Sequence, residues 1–127
     1  MHQFKKNRPV YLNLFRIHLP VGGVVSIAHR VTGVLLVLVL PLLVYMLQLS
    51  LSGEEGFRRV AGILSQPSSR IAVLATLAFF ALHFFAGIRH LLLDIDVGID
   101  RPSARRSAWL VVGVTALVVV VAGVGLL

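Results

Sequence analysis

From Val31 to Leu51 the chain carries no formal charge, and that stretch decides its solvent. At 1.5 Å per residue a helix of this length crosses the roughly 30 Å hydrocarbon layer of a bilayer. Two further runs follow. Ile71 to Ile88 is uncharged apart from the titratable His83, and Ser107 to Leu127 is uncharged throughout. The last is rich in β-branched residues (Val111, Val112, Val114 and Val118 to Val121) and would be ambiguous in water. In lipid a single apolar run satisfies its peptide groups only as a helix. The expected fold is therefore all-α, a bundle of three transmembrane helices. It forms one membrane-anchor domain over residues 1–127, with spans at about 24–51, 71–93 and 107–127.

Composition removes the main alternatives. With 57% hydrophobic and 13% charged residues, a chain of 127 residues has too little polar surface for a soluble domain. A net charge of +7 could suggest nucleic acid, but the twelve Lys and Arg flank the apolar runs rather than forming one stripe, so no nucleic-acid partner is expected. There is no cysteine, which leaves the five histidines as the strong ligands for a transition metal or haem.

Met1 to Arg8 has the charge of a signal-peptide n-region without the short apolar core and cleavage site, and is expected to be mature sequence. Pro41 lies inside the first span and is expected to bend it. The first connection, Ser52 to Arg70, has room for a short interfacial helix. Gly113, Ala116 and Gly123 share one side of the third span, where small residues would admit a neighbouring helix. Trp109 stands where an interfacial anchor would. Lys5, Lys6, Arg8 and Arg16 precede the first span, and Arg101, Arg105 and Arg106 lie between the second and third. The N-terminus is therefore expected in the cytoplasm and the C-terminus in the periplasm of a bacterial inner membrane, a bias weakened by Arg58, Arg59 and Arg70 in the opposite loop.

This topology brings two polar groups to one depth. Ser26, His29, Arg30 and Gly33 follow i, i+3, i+4, i+7 spacing and project from one helical face. His83, Gly87, His90 and Asp94 fall within about 60° of one another on the second span, and Arg89 points elsewhere. Each has an ordinary reading. Arg30 and Arg89 can snorkel to headgroups, Ser26 can back-bond to its helix, the glycines can serve packing, and Asp94 can end its helix. His83 is different, because it lies about 15 Å inside the cytoplasmic end of its helix, beyond the reach of snorkelling. It is either a structural histidine bonded to a neighbouring helix or a ligand of haem iron. In the second case Gly87 clears space for the flat macrocycle, while His29, Arg30 and His90 stand near the surface where propionates need cations. Only one histidine sits at that depth, so a second axial ligand would come from another polypeptide.

Arg8-Pro9-Val10 followed by Ser26-Ile27-Ala28-His29-Arg30-Val31-Thr32-Gly33, together with His83-Phe84-Phe85-Ala86-Gly87-Ile88-Arg89-His90-Leu91-Leu92-Leu93-Asp94, resembles the two signatures of the succinate dehydrogenase cytochrome b556 family. The resemblance implies a membrane anchor of complex II. Its partners would be a flavoprotein, an iron–sulfur subunit and a second small anchor, with FAD and Fe–S clusters confined to those partners. It implies haem b shared with the second anchor, His83 as axial ligand, and ubiquinone as substrate beside Ser26 and Arg30. It places His29 and Arg30, and less directly His90, at the propionates. A hydroxyl such as that of Ser26 can donate to a quinone carbonyl, and Arg30 supplies a fixed positive charge. A fumarate reductase anchor and a non-redox helical subunit are the competing readings.

Overall fold

The computed structural model describes residues 19–126. Lys5, Lys6, Arg8-Pro9-Val10, Arg16 and the terminal Leu127 lie outside the described residues. Four helices follow in order: α1 (Val21–Leu51), α2 (Glu54–Leu64), α3 (Pro67–Asp94) and α4 (Arg101–Leu126). Three of them, α1, α3 and α4, are long and apolar enough to cross a membrane.

Each long helix begins earlier than its hydropathy suggests. α1 takes in Val21, Gly22 and Gly23, and α3 starts at Pro67, where the missing N–H costs nothing in a first turn. α4 starts six residues before Ser107, so Arg101, Arg105 and Arg106 are helical rather than part of a loop. A hydropathy run stops at its first charge. A helix does not, and the long arginine stems let the first turns continue toward water. α1 continues unbroken through Pro41 to Leu51.

The connections are defined by local chemistry. Gly53 has φ 129°, a region that side chains exclude, and turns the chain from α1 into α2. Gly56 then lies directly against the Leu49 carbonyl and the Ser52 hydroxyl, leaving no room for a Cβ there. α2 is amphipathic: Phe57, Val60, Ala61 and Leu64 share one side, while Glu54 and Glu55 pair with Arg58 and Arg59 on the other. At the end of α3, Asp96 adopts φ 61°, and the amides of Asp96 and Val97 bond back to the carbonyls of Leu93 and Leu92 at 3.1 and 2.9 Å. This pair of bonds closes the helix in a Schellman turn, with aspartate where glycine is usual.

α3 is the central helix, packed on both α1 and α4, which touch each other less. The tightest packing joins Val25, Ala86, Ala108 and Val111, with Val21, Leu82 and Phe85 around them. Side chains this small bring the backbones close, and in lipid that packing rather than release of water holds helices together. Most of the remaining apolar side chains are exposed, including Val34, Val37 and Leu38 of α1 and Val120, Val121 and Val124 of α4. The expected small-residue side of α4 is divided. Gly123 faces α3, where a Cβ would meet Leu74 at 3.6 Å, whereas Gly113 faces open space. At the far end of the bundle Arg70 donates to the Leu126 carbonyl at 3.2 Å, capping α4 from α3.

Asp100 caps the start of α4: its carboxylate accepts the Ser103 amide at 3.0 Å and its carbonyl accepts that of Ala104 at 2.9 Å. The bonds from Ser103, with a smaller contribution from Arg106, hold the Asp100 carboxyl below the usual carboxylate range. A lowered value makes the cap's contribution complete above the ordinary carboxylate pKa and lost as pH falls through the lowered one. Amide exchange at Ser103 and Ala104 in detergent micelles should therefore accelerate on acidification relative to Asp100→Asn at the same pH, because asparagine keeps a neutral cap.

Candidate functional site

α1 and α3 meet along an exchange of glycines and histidines. Gly33 of α1 lies beneath the His83 ring, so close that a Cβ would stand 3.0 Å from Cε1 and 3.4 Å from Nδ1. Gly87 of α3 lies beneath His29, where a Cβ would meet Nε2 at 3.4 Å. The space over Gly87, expected to receive a flat macrocycle, is thus taken by the His29 imidazole. The two rings stack with centroids 4.1 Å apart and planes 11° from parallel, and His90 follows 5.1 Å from His29, tilted by 56°.

One hydrogen bond sets the chemistry of this group. His83 Nδ1 lies 3.0 Å from the backbone carbonyl of His29. A carbonyl only accepts, so Nδ1 carries a proton, and in the neutral ring Nε2 then holds the lone pair. The same carbonyl accepts the Thr32 hydroxyl at 3.0 Å, and that hydroxyl also reaches Ala28 O at 2.8 Å. Thr32 is buried, and the sequence reading gave it no role. Its position three residues after His29, where a threonine back-bonds naturally, was the available signal.

Metal-binding histidines commonly donate the opposite ring N–H to a carbonyl, which fixes the ring and strengthens the ligand nitrogen. His83 has that arrangement and is half-buried rather than sealed. Among the described residues no three His, Asp or Glu side chains form a cage for a bare ion. A lone imidazole suits a metal that brings its own equatorial donors, as haem iron does.

Ser26 and Arg30 stand beside this group on α1, Ser26 partly exposed and Arg30 exposed, without a side-chain hydrogen bond to α3 among the described residues. The Ser26 hydroxyl does not back-bond to Gly22 or Gly23, in contrast to the hydroxyls of Thr32 and Thr76. Asp94 is exposed at the end of α3, outside the histidine group.

Arg89 corrects the snorkelling expectation. It is only 7% exposed and turns inward to α4, where Nε donates to Ser107 Oγ at 3.1 Å and Nη2 to the Ala104 carbonyl at 3.2 Å. A Cβ at Gly22 would meet the same Nη2 at 3.2 Å, so α1 also comes close. Ionisable residues within spans usually face the bundle interior, and that rule would have placed it.

Fold and site together define a three-span membrane subunit with one imidazole bonded through Nδ1 to a neighbouring helix and an open polar face beside it. The family described as succinate dehydrogenase/fumarate reductase transmembrane subunit matches residues 5–122. The chain is 36% identical over 118 residues to the succinate dehydrogenase cytochrome b556 subunit of Coxiella burnetii, covering 92% of this chain and 94% of that one. It is 30% identical over 122 residues to the cytochrome b560 subunit of Reclinomonas americana, covering 91% and 84%. The identity to the cytochrome b556 subunit of Paracoccus denitrificans is 26% over 102 residues, covering 80% and 78%. The chain belongs to the succinate dehydrogenase/fumarate reductase transmembrane subunit family.

The 3.0 Å approach at Gly33 leaves little room for another carbon against an aromatic ring. Gly33→Ala should displace the His83 ring and weaken its bond to the His29 carbonyl, at a cost of about 1–3 kcal/mol for overpacking. The displacement should be visible as a changed His83 Nδ1 chemical shift in 15N-histidine spectra, while Gly113→Ala, which meets open space, leaves that signal in place.

Proposed function

We propose that this chain is the haem-b-binding anchor of a succinate dehydrogenase and helps pass electrons from succinate to ubiquinone. The observation that carries this reading is the Nδ1 bond of His83 to the His29 carbonyl, which leaves Nε2 as a free ligand. His83 Nε2 would hold the haem iron, together with a ligand from a second small membrane anchor. Once bound, the haem supplies a one-electron redox centre within the membrane. His29, Arg30 and His90 serve its propionates, for which a cation or N–H donor near the membrane surface is needed.

Ser26 and Arg30 bind the quinone. The Ser26 hydroxyl is not committed to its own helix and can donate to a carbonyl. Arg30 adds a permanent charge that favours negative charge developing on the quinone oxygen. A guanidinium is not a proton donor, so the two protons of the quinol come from water or from a partner subunit. Oxidation of succinate to fumarate, which releases two electrons and two protons, belongs to a flavoprotein carrying FAD, and an iron–sulfur subunit relays the electrons. The direction follows the three named relatives, all subunits of succinate dehydrogenase. The chain would lie in a bacterial inner membrane with its N-terminus in the cytoplasm, so that the start of α1 and the end of α3 face the iron–sulfur subunit.

His83→Leu tests the ligand. It should weaken or abolish the reduced-minus-oxidised b-type spectrum while three-span insertion, read with a reporter fused after Leu127, is retained. An unchanged spectrum with the same axial-ligand EPR signature would return His83 to a structural role.

The quinone assignment is tested separately. Losing a neutral hydrogen bond costs on the order of 0.5–1.5 kcal/mol and losing a charged one roughly 1.5–3, so Arg30→Leu should slow quinone reduction more than Ser26→Ala. Succinate oxidation by an artificial acceptor at the flavoprotein should persist in both variants. Wild-type quinone kinetics and inhibitor sensitivity in fully assembled variants would overturn the assignment.

A further inference from the structure

The chain has five carboxylates, Glu54, Glu55, Asp94, Asp96 and Asp100, and no described bond joins any of them to the buried guanidinium of Arg89. Residues 1–18 contain no acid at all. The two acceptors that Arg89 does have, a serine hydroxyl and a peptide carbonyl, are neutral. A cation that is 7% exposed is costly without a counter-charge. None of the described carboxylates supplies that counter-charge.

Arg89 lines a cleft of about 1020 Å³ between the starts of α1 and α4, and Arg101 and Arg105 line it with the same sign of charge. Both of these belong to the first turns of α4, where the Asp100 carboxylate caps the Ser103 amide and bonds neither arginine among the described residues. Below the arginines the walls become apolar, with Val24 on one side and Trp109 and Val112 on the other. A second groove, of about 1030 Å³, runs along the outer side of α4 past Gly113 to Leu117 and shares Arg101, Arg105 and Trp109 with the first. The absence of a side chain at Gly113, which meets open space, deepens it.

We propose that the start of α4 binds one anionic phospholipid. Its phosphate lies among Arg89, Arg101 and Arg105, and its two acyl chains lie in the grooves on either side of Trp109. A small soluble anion would use the arginines and leave two apolar grooves unexplained. A net-negative headgroup with two chains uses both. Neither groove is lined by Ser26, His29 or His83, so the site is separate from the histidine group.

The test is native mass spectrometry of the delipidated, detergent-purified complex containing the full chain, titrated with phosphatidylglycerol and, in parallel, with phosphatidylcholine. The wild type should hold phosphatidylglycerol in preference to phosphatidylcholine. Arg101→Gln and Arg105→Gln should each weaken it roughly fivefold, in keeping with the contribution of one basic residue near anionic lipid, and Arg58→Gln in α2 should not. The two exposed α4 arginines keep the test informative if Arg89→Gln fails to assemble. Equal binding of the two lipids, or unchanged binding in both α4 variants, would overturn the proposal. Full displacement by excess inorganic phosphate would overturn it in favour of a soluble anion. Loss of another subunit from Arg89→Gln, with lipid binding unchanged in all variants, would overturn it in favour of a partner's carboxylate.

Discussion

Hydrocarbon offers no hydrogen bonds, so the polar side chains that α1, α3 and α4 carry inward are driven to find partners within protein, and among the described residues only the Thr115 hydroxyl is buried without one. Thr32 and Thr76 solve this locally by bonding to their own helix. His83 and Arg89 cannot, and their bonds run to neighbouring helices: His83 to a carbonyl of α1, Arg89 to a hydroxyl and a carbonyl of α4. These directed contacts orient α3 between its neighbours, since the surrounding contacts among Val25, Ala86, Ala108 and Val111 are small and carry little directional information of their own. Close packing supplies the proximity, and the two polar side chains select one rotational setting of α3.

The same division separates two chemistries on one helix. His83 and His90 point to the α1 side, where an imidazole lone pair and a row of rings are presented. Arg89, immediately before His90, points to α4 and a cleft lined with further arginines. Successive residues on a helix differ by about 100°. That step keeps the buried guanidinium off the face that carries the histidines.

Much of this was legible in the sequence, and the part that was not has a physical reason. Uncharged runs and the demands of lipid gave three helices, and helical spacing gathered Ser26, His29, Arg30 and Gly33 on one side and His83, Gly87 and His90 on another. Periodicity defines a face but not what lies opposite it, so the matching of Gly33 with His83 and of Gly87 with His29 required the fold. Arg89 was read as an end-of-span charge because position in a span does not reveal whether a neighbouring helix offers acceptors. Arg70 was read as one of three cations weakening the topological bias. It also donates to the Leu126 carbonyl of α4, while Arg58 and Arg59 have acidic neighbours within α2.

Arg70 and Arg89 are 19 positions apart on α3, about 28 Å along a helix, and each grips a different end of α4. A helix held at a single point can slip past its neighbour by one residue at modest cost, rotating by about 100° as it advances by about 1.5 Å. A helix fastened at both ends cannot, because any such slip breaks both bonds together. α3 and α4 therefore form a hairpin whose register is set at both ends.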